Sequence, residues 1–297
     1  MRTRALAGVV AVVVLAAAAP AAGAACSVAG RPMPGAGRLE WKPSGWGPVR
    51  TRGLPGIPVA RTGSTLILSG VTSIDGRRRH GLAALNMRTG RVLPFDPVIP
   101  GNRFFVEMAA SPTAVYVGVG TFDEGREGLK EIKAFDLRTG APLPAFAPAD
   151  FGEGLLGGMV LAGGRLIMAG GPPFGAGTNL GAYDPITGAP VWRDQLDWSP
   201  RSLVTDGTRL FLGEEPPVPD SHGIKAFDAA TGAAIPGWGA TLPARTARTT
   251  VFGVDATHVF AFTGSRQRAE MLTVSQSDGR RVKIGRASCR ERVFRVV

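Results

Sequence analysis

The chain has 297 residues, with 34 lysines and arginines against 23 aspartates and glutamates and only 2 cysteines. An apolar content of 44%, beside 42 glycines and 24 prolines, excludes a disordered chain and fits many short strands joined by tight turns. The formal charge of +11 shrinks when the two ends are read apart. Two arginines at the start, and four arginines against one glutamate at the end, account for five of those charges, and the remainder does not call for a nucleic-acid partner.

Residues 1–25 read as a secretory signal peptide, with Arg2 and Arg4 as the positive start and an apolar run over Ala5–Ala19. Ala22-Gly23-Ala24 supplies the small-residue cleavage pattern, and the run is shorter than the ~20 apolar residues a membrane span needs. The expected location is therefore secreted or at the cell surface. Gly23-Ala24-Ala25-Cys26 resembles a bacterial lipobox, although Gly23 stands where that motif usually has Leu. Cys26 is thus a candidate for lipidation, the one membrane contact expected, with a disulfide as the rival use. An Arg, Ala, Gly and Pro bias also points to a GC-rich bacterial genome, which raises Arg irrespective of function.

Residues 26–54 form an N-terminal segment. Within it, Gly37-Arg38-Leu39-Glu40-Trp41-Lys42-Pro43 reads like an isolated outer strand, a candidate for closing a ring. From residue 55 to 283 the chain repeats itself. Leu85-Asn86-Met87-Arg88-Thr89-Gly90 is followed by Phe135-Asp136-Leu137-Arg138-Thr139-Gly140 and Tyr183-Asp184-Pro185-Ile186-Thr187-Gly188. Phe227-Asp228-Ala229-Ala230-Thr231-Gly232 and a worn copy, Val274-Ser275-Gln276-Ser277-Asp278-Gly279, complete the series. The glycines are spaced by 50, 48, 44 and 47 residues, the signature of a repeat architecture.

Each repeat predicts the same elements in the same order. A weak strand comes first, over 57–60, 106–110, 158–162, 202–206 and 252–255. A turn follows, then a stronger apolar strand over 64–70, 114–120, 165–171, 209–213 and 258–264. A variable loop precedes a third strand over 81–86, 131–136, 181–184, 223–228 and 270–275. The Asp-x-x-Thr-Gly phrase closes it. Asp accepts from backbone N–H groups further on, and the glycine takes positive φ at little steric cost. Asn86, Gly90, Asp136, Gly140, Asp184, Gly188, Asp228 and Gly232 are therefore read as turn residues. A fourth strand carries Leu93, Leu143, Val191 or Ile235, then Phe95, Phe146, Trp192 or Trp238. Prolines at 94, 142, 144, 190 and 236 confine that strand to an edge. The fold class is all-β: a β-propeller of four-stranded antiparallel blades with about five repeats visible.

Residues 284–297 keep no part of the pattern. Ile284-Gly285-Arg286-Ala287-Ser288-Cys289-Arg290-Glu291-Arg292-Val293 resembles the translated read-through of a sequencing adapter. The tail is expected to be non-native, the native chain to be truncated near Lys283, and Cys26 to be the one native cysteine in the visible chain.

Candidate chemistry is sparse, and no catalytic or metal residue is assigned. Arg77-Arg78-Arg79-His80 is the densest basic run; it is placed in the loop between strands two and three as a solvated stretch or a contact for an anionic polymer. Gly170–Gly177 lacks the Lys-Ser/Thr of a phosphate cradle. Asp123, Glu124 and Glu127 match no calcium-loop spacing, and His80, His222 and His258 are too scattered for zinc. Trp41, Trp46, Trp192, Trp198 and Trp238 suit either sugar stacking or, at repeat positions, packing between blades.

Gly181-Ala182-Tyr183-Asp184-Pro185-Ile186-Thr187-Gly188-Ala189-Pro190-Val191-Trp192 resembles the Ala-x-Asp-x-x-Thr-Gly-x-x-x-Trp signature of the pyrroloquinoline-quinone-type propeller repeat, and residues 82–97 resemble its delta-60-type variant. The resemblance implies a propeller. It also implies two functional classes: dehydrogenases that bind the quinone with calcium, and non-enzymatic scaffolds that include an outer-membrane assembly lipoprotein. The dehydrogenases typically carry a vicinal cysteine pair, which this chain lacks together with any Cys-x-x-Cys-His haem site. The leading expectation is an exported binding scaffold for a protein or polysaccharide, with no cofactor. The alternative is a quinone- or metal-dependent oxidoreductase.

Overall fold

The computed structural model describes residues 50–51, 59–99, 103–123, 126–148, 155–171, 179–215, 223–241, 249–265 and 268–282. The expected signal peptide, Cys26, the strand at 37–43, Trp41, Trp46, Glu124, His222 and the tail at 284–297 lie outside the described residues, as does most of Gly170–Gly177.

Within the described residues the regular structure is all strand, grouped in five antiparallel sheets that follow one another along the chain. Blade 1 holds β1 (Arg50–Thr51), β2 (Val59–Thr62), β3 (Thr65–Ile74) and β4 (Arg77–Asn86), with β1 continuing the β2 edge further along β3. Blade 2 holds β5 (Arg103–Ala110), β6 (Ala114–Asp123) and β7 (Arg126–Asp136). Blade 3 holds β8 (Leu155–Ala162), β9 (Arg165–Gly171), β10 (Leu180–Tyr183) and β11 (Pro190–Asp194). Blade 4 holds β12 (Ser199–Thr205), β13 (Arg209–Glu215), β14 (Gly223–Asp228) and β15 (Ala234–Thr241). Blade 5 holds β16 (Thr249–Val254), β17 (His258–Ser265) and β18 (Arg268–Ser275). The chain is a β-propeller repeat protein, as its period implies.

Apolar residues on both faces of the second and third strands explain why the sheets stack. Ile67, Leu82, Ala84 and Phe95 of blade 1 close against Val115, Val117 and Phe135 of blade 2. Tyr116, Ala134 and Phe146 of blade 2 meet Leu166, Met168 and Tyr183 of blade 3. Ile167, Ala169 and Ala182 of blade 3 meet Leu203, Leu210 and Phe227 of blade 4. Phe211, Ile224 and Trp238 of blade 4 meet Val251, Val259 and Val274 of blade 5. Each seam buries a separate apolar layer, so stability is distributed along the array. The first strands β2, β5, β8, β12 and β16 pack successively against one another. Among the described residues no comparable seam joins β16 to β2.

Three features differ from expectation. The fourth strand is regular only as β11 and β15. In blades 1, 2 and 5 it shrinks to single bridges, Leu85 with Val92, Phe135 with Pro142, and Val274 with Arg281. Pro94, Pro142 and Pro144 explain the first two, because proline has no N–H for a ladder. Pro236 survives inside β15 because the register slips there beside Gly237, whose φ is 72°. Second, Val191 is 47% exposed, and Trp192 is the residue that packs inward.

The third difference concerns Arg77–His80, which lies in β4 and not in a loop. Asp75 and Gly76 make the connection, with φ of 51° and 71°, so β3 and β4 form a tight hairpin. Asp-Gly is a strong two-residue hairpin signal, and four charged or polar residues after it mask the strand.

Candidate functional site

The recurrent phrase is built from the backbone outward. Asp184 Oδ1 accepts from Ile186 N at 2.9 Å, Thr187 N at 2.7 Å and Thr187 Oγ1 at 2.9 Å. Asp228 Oδ1 accepts from Ala230 N, Thr231 N and Thr231 Oγ1, and Asp136 Oδ1 from both Thr139 donors. Asn86 accepts from Arg88 N and Thr89 N, each at 3.0 Å. The phrase glycine then donates to the Asp or Asn carbonyl, as Gly188 does to Asp184 O at 2.8 Å. Hydrogen bonds from Thr139, Thr187 and Thr231 hold the carboxyls of Asp136, Asp184 and Asp228 below the usual range. These aspartates are fixed acceptors in turns.

The glycines carry a second constraint that the sequence did not reveal. Gly232 has φ of 78°, and a Cβ there would lie 2.7 Å from the Trp192 ring of the preceding blade. Gly188, Gly140 and Gly279 press in the same way on Pro148, Asp96 and Gly239. From blade 2 onward each phrase therefore abuts the fourth segment of the blade before it. Its carbonyls are used too. Tyr116 Oη donates to Pro185 O at 2.9 Å, and Arg165 Nη1 donates to Ala230 O. Arg209 Nη1 and Trp238 Nε1 both donate to Gln276 O, at 2.7 and 2.9 Å. Gln276 Nε2 and Arg209 Nε both donate to Asp206 Oδ2. The phrase is at once an outer-hairpin turn and a latch across the seam.

First strands carry a repeated irregularity. The ladder slips at Val106 in β5, Gly157 in β8, Arg201 in β12 and Phe252 in β16. These bulges steepen the twist where neighbouring blades converge. A Cβ on Gly158 would sit 2.5 Å from the Leu203 Cβ, so only glycine fits there. The residue after the bulge faces the next blade, and Ser202 Oγ accepts from Val251 N at 2.8 Å across the blade 4–5 seam. Glu107 holds that position in blade 2. Burial pushes its carboxyl up to about 8, against a smaller opposing pull from the Met108 N–H.

The basic hairpin of blade 1 divides by direction. Arg77 and Arg78 are exposed at the tip of β4. Arg79 is only 10% exposed and turns toward Asp96, its Nη1 lying 3.8 Å from Oδ2. His80 N donates to Asp96 Oδ1 at 2.9 Å, and its Nδ1 lies 3.1 Å from Oδ2. Asp96 thus clamps β4 to the segment carrying Phe95. Of the three arginines read as anionic contacts, two face outward and one braces the hairpin.

The other candidates separate. His258 bonds Thr257 and Asp255 in a turn far along the chain from His80. No group of three His, Cys, Asp or Glu side chains suited to a metal occurs among the described residues. Trp192, Trp198 and Trp238 pack in seams, and Lys225 Nζ lies 4.7 Å over the Trp198 ring. Their use between blades agrees with the repeat-position reading.

Residues 128–283 match the family model described as outer membrane protein assembly factor BamB. No curated protein sequence matches the chain significantly. Among solved structures, hydrazine synthase of Kuenenia stuttgartiensis is similar at 13% identity and a TM-score of 0.45, over 76% of this chain and 68% of that one.

Proposed function

This chain belongs to the family of outer membrane protein assembly factor BamB, and from that membership we propose that it is an exported, non-enzymatic β-propeller that acts as a binding scaffold for a protein at the cell surface. The observation that supports the reading most is the division of labour within the polar residues. The recurrent aspartates, threonines and glycines lock turns and seams, while Arg77 and Arg78 stand at the tip of a hairpin braced from behind by Asp96. A rigid, charged projection loses little conformational entropy on binding, and its charge steers an acidic partner surface into register. Export rests on the leader over residues 1–25, and a lipid at Cys26 would keep the scaffold at a membrane.

Calorimetric titration of the chain with pyrroloquinoline quinone plus calcium tests the scaffold against the oxidoreductase reading. No saturable heat is expected, and tight stoichiometric binding overturns the proposal. The hairpin is tested separately with fluorescent poly-glutamate as an acidic probe at low salt. Binding is expected to weaken several-fold in Arg77→Glu with Arg78→Glu and to fade with added salt. An unchanged affinity removes the hairpin from the reading.

A further inference from the structure

The recurrent turn contains one residue whose identity the fold does not dictate. In Asn86-Met87-Arg88-Thr89-Gly90 and its copies the second residue faces the protein, and Leu137, Ala229 and Gln276 are buried there. The third residue is exposed in every copy, as Arg88, Arg138, Ile186, Ala230 and Ser277. Blades 2, 3 and 4 are flanked by seams on both sides and still expose it, Ile186 at 71%. Exposure at this position therefore follows from the turn and owes nothing to where the array stops.

The two turns of a blade share one end, because the residue that opens the second strand pairs with the Asn or Asp of the phrase: Thr65 with Asn86, Ala114 with Asp136, Arg209 with Asp228. Charge divides along this end. Blades 1 and 2 place the exposed Arg61, Arg88, Arg91 and Arg138 on it against Asp136 alone, because the first phrase has Asn86 where the next three have Asp. Blades 3 and 4 place Arg165 and Arg209 there against Asp184, Asp206 and Asp228. Both of those arginines are used on carbonyls of the next blade, Ala230 O and Gln276 O. Tyr116 of blade 2 donates to Pro185 O and so fixes the Ile186 tip beside the basic half.

Arginines beside a bare aliphatic tip suit an interface that offers anionic headgroups above hydrocarbon. An acidic protein surface would engage the arginines and give Ile186 no apolar phase to enter. We propose that the turn end of blades 1 and 2, together with the Ile186 tip, docks on an anionic membrane surface. The proposal is independent of the protein-binding reading, whose hairpin tip stands at the other end of β3, roughly 30 Å away along a strand of 10 residues.

Co-sedimentation with vesicles tests this, using residues 26–297 with Cys26→Ser so that neither leader nor lipid anchors the chain. At low salt the protein should pellet with mixed phosphatidylglycerol and phosphatidylcholine vesicles and stay in solution with phosphatidylcholine alone. Arg88→Gln with Arg138→Gln should weaken the partition several-fold, and Asn86→Asp by less, with unchanged far-ultraviolet circular dichroism. Ile186→Ser should weaken it as well, while Arg77→Gln with Arg78→Gln should leave it in place. No partition onto the anionic vesicles, or turn variants without effect, overturns the proposal. An equal loss in the Arg77 and Arg78 variant overturns it too, since net charge alone would then be read. Loss on deleting residues 284–297 makes the tail the contact and has the same consequence. Indifference to Ile186→Ser, with poly-glutamate binding that depends on the turn arginines, assigns the surface to an acidic protein and overturns the membrane reading.

Discussion

The blade 4–5 seam and the outgoing face of blade 5 are built on one pattern and meet different fates. In the seam, Phe211, Ile224 and Trp238 are buried against Val251 and Val259, and Arg209 with Trp238 grips the Gln276 carbonyl. On the open face Phe260, Phe262 and Met271 occupy the corresponding places with no blade over them among the described residues. The difference teaches where the repeat's chemistry goes. A residue in the pattern is not functional or structural by type; its role depends on whether a blade stands against it.

The largest expected effect tests a seam through its charge. Glu107 takes the place in blade 2 that Ser202 takes in blade 4, and its carboxyl titrates at about 8 in the folded chain against 4.5 for the free group. A raised folded value means the contribution is whole below about pH 4.5 and is lost as pH climbs to about 8. Stability should therefore fall by on the order of 4 kcal/mol between pH 4.5 and 9. Glu107→Gln should flatten that slope in thermal unfolding. The turn carboxyls of Asp136, Asp184 and Asp228 are lowered, so their contribution is lost only under more acidic conditions and leaves this window clear. An unaltered slope in the variant would show that Glu107 does not sit in a dry seam.

Gly232→Ala comes next. The new Cβ meets both a positive φ and the Trp192 ring, and the expected loss is about 2–3 kcal/mol, read from denaturant midpoints. Gly207→Ala separates the two causes, since its φ of 100° is strained but nothing lies within 4 Å. Its loss should be smaller, and equal losses would refute the close approach.

The smallest effect belongs to Asp184→Ala, which frees two backbone N–H groups and the Thr187 hydroxyl in an exposed turn. A loss smaller than that of Gly207→Ala is expected in the denaturant midpoint, with water taking over the donors. A loss near that of Gly232→Ala would mean that the carboxylate acts across the seam.

What was legible in the sequence follows from what is local. Asp184, Thr187 and Gly188 bond one another within five residues, so their turn could be read directly from the chain. The apolar run over 64–70 likewise announced a strand, which the structure extends to Ile74 as β3. The bulges at Val106, Gly157, Arg201 and Phe252 left no local mark, because each answers a neighbouring blade some 45–50 residues away, one repeat period. Arg77–His80 misled because exposed charge resembles a loop, although Asp75-Gly76 carried the hairpin signal. Arg79 could be assigned to Asp96 only once β4 and the Phe95 segment were side by side.

One measurement bears most directly on the contrast between closed seam and open face. Ile224→Ala and Met271→Ala change corresponding positions, and their unfolding free energies can be compared under the same conditions. Ile224→Ala is expected to cost about 2–5 kcal/mol, and Met271→Ala no more than about 0.5 kcal/mol. Comparable losses in the two variants would contradict the account, because Met271 would then be as thoroughly enclosed as the residue it matches.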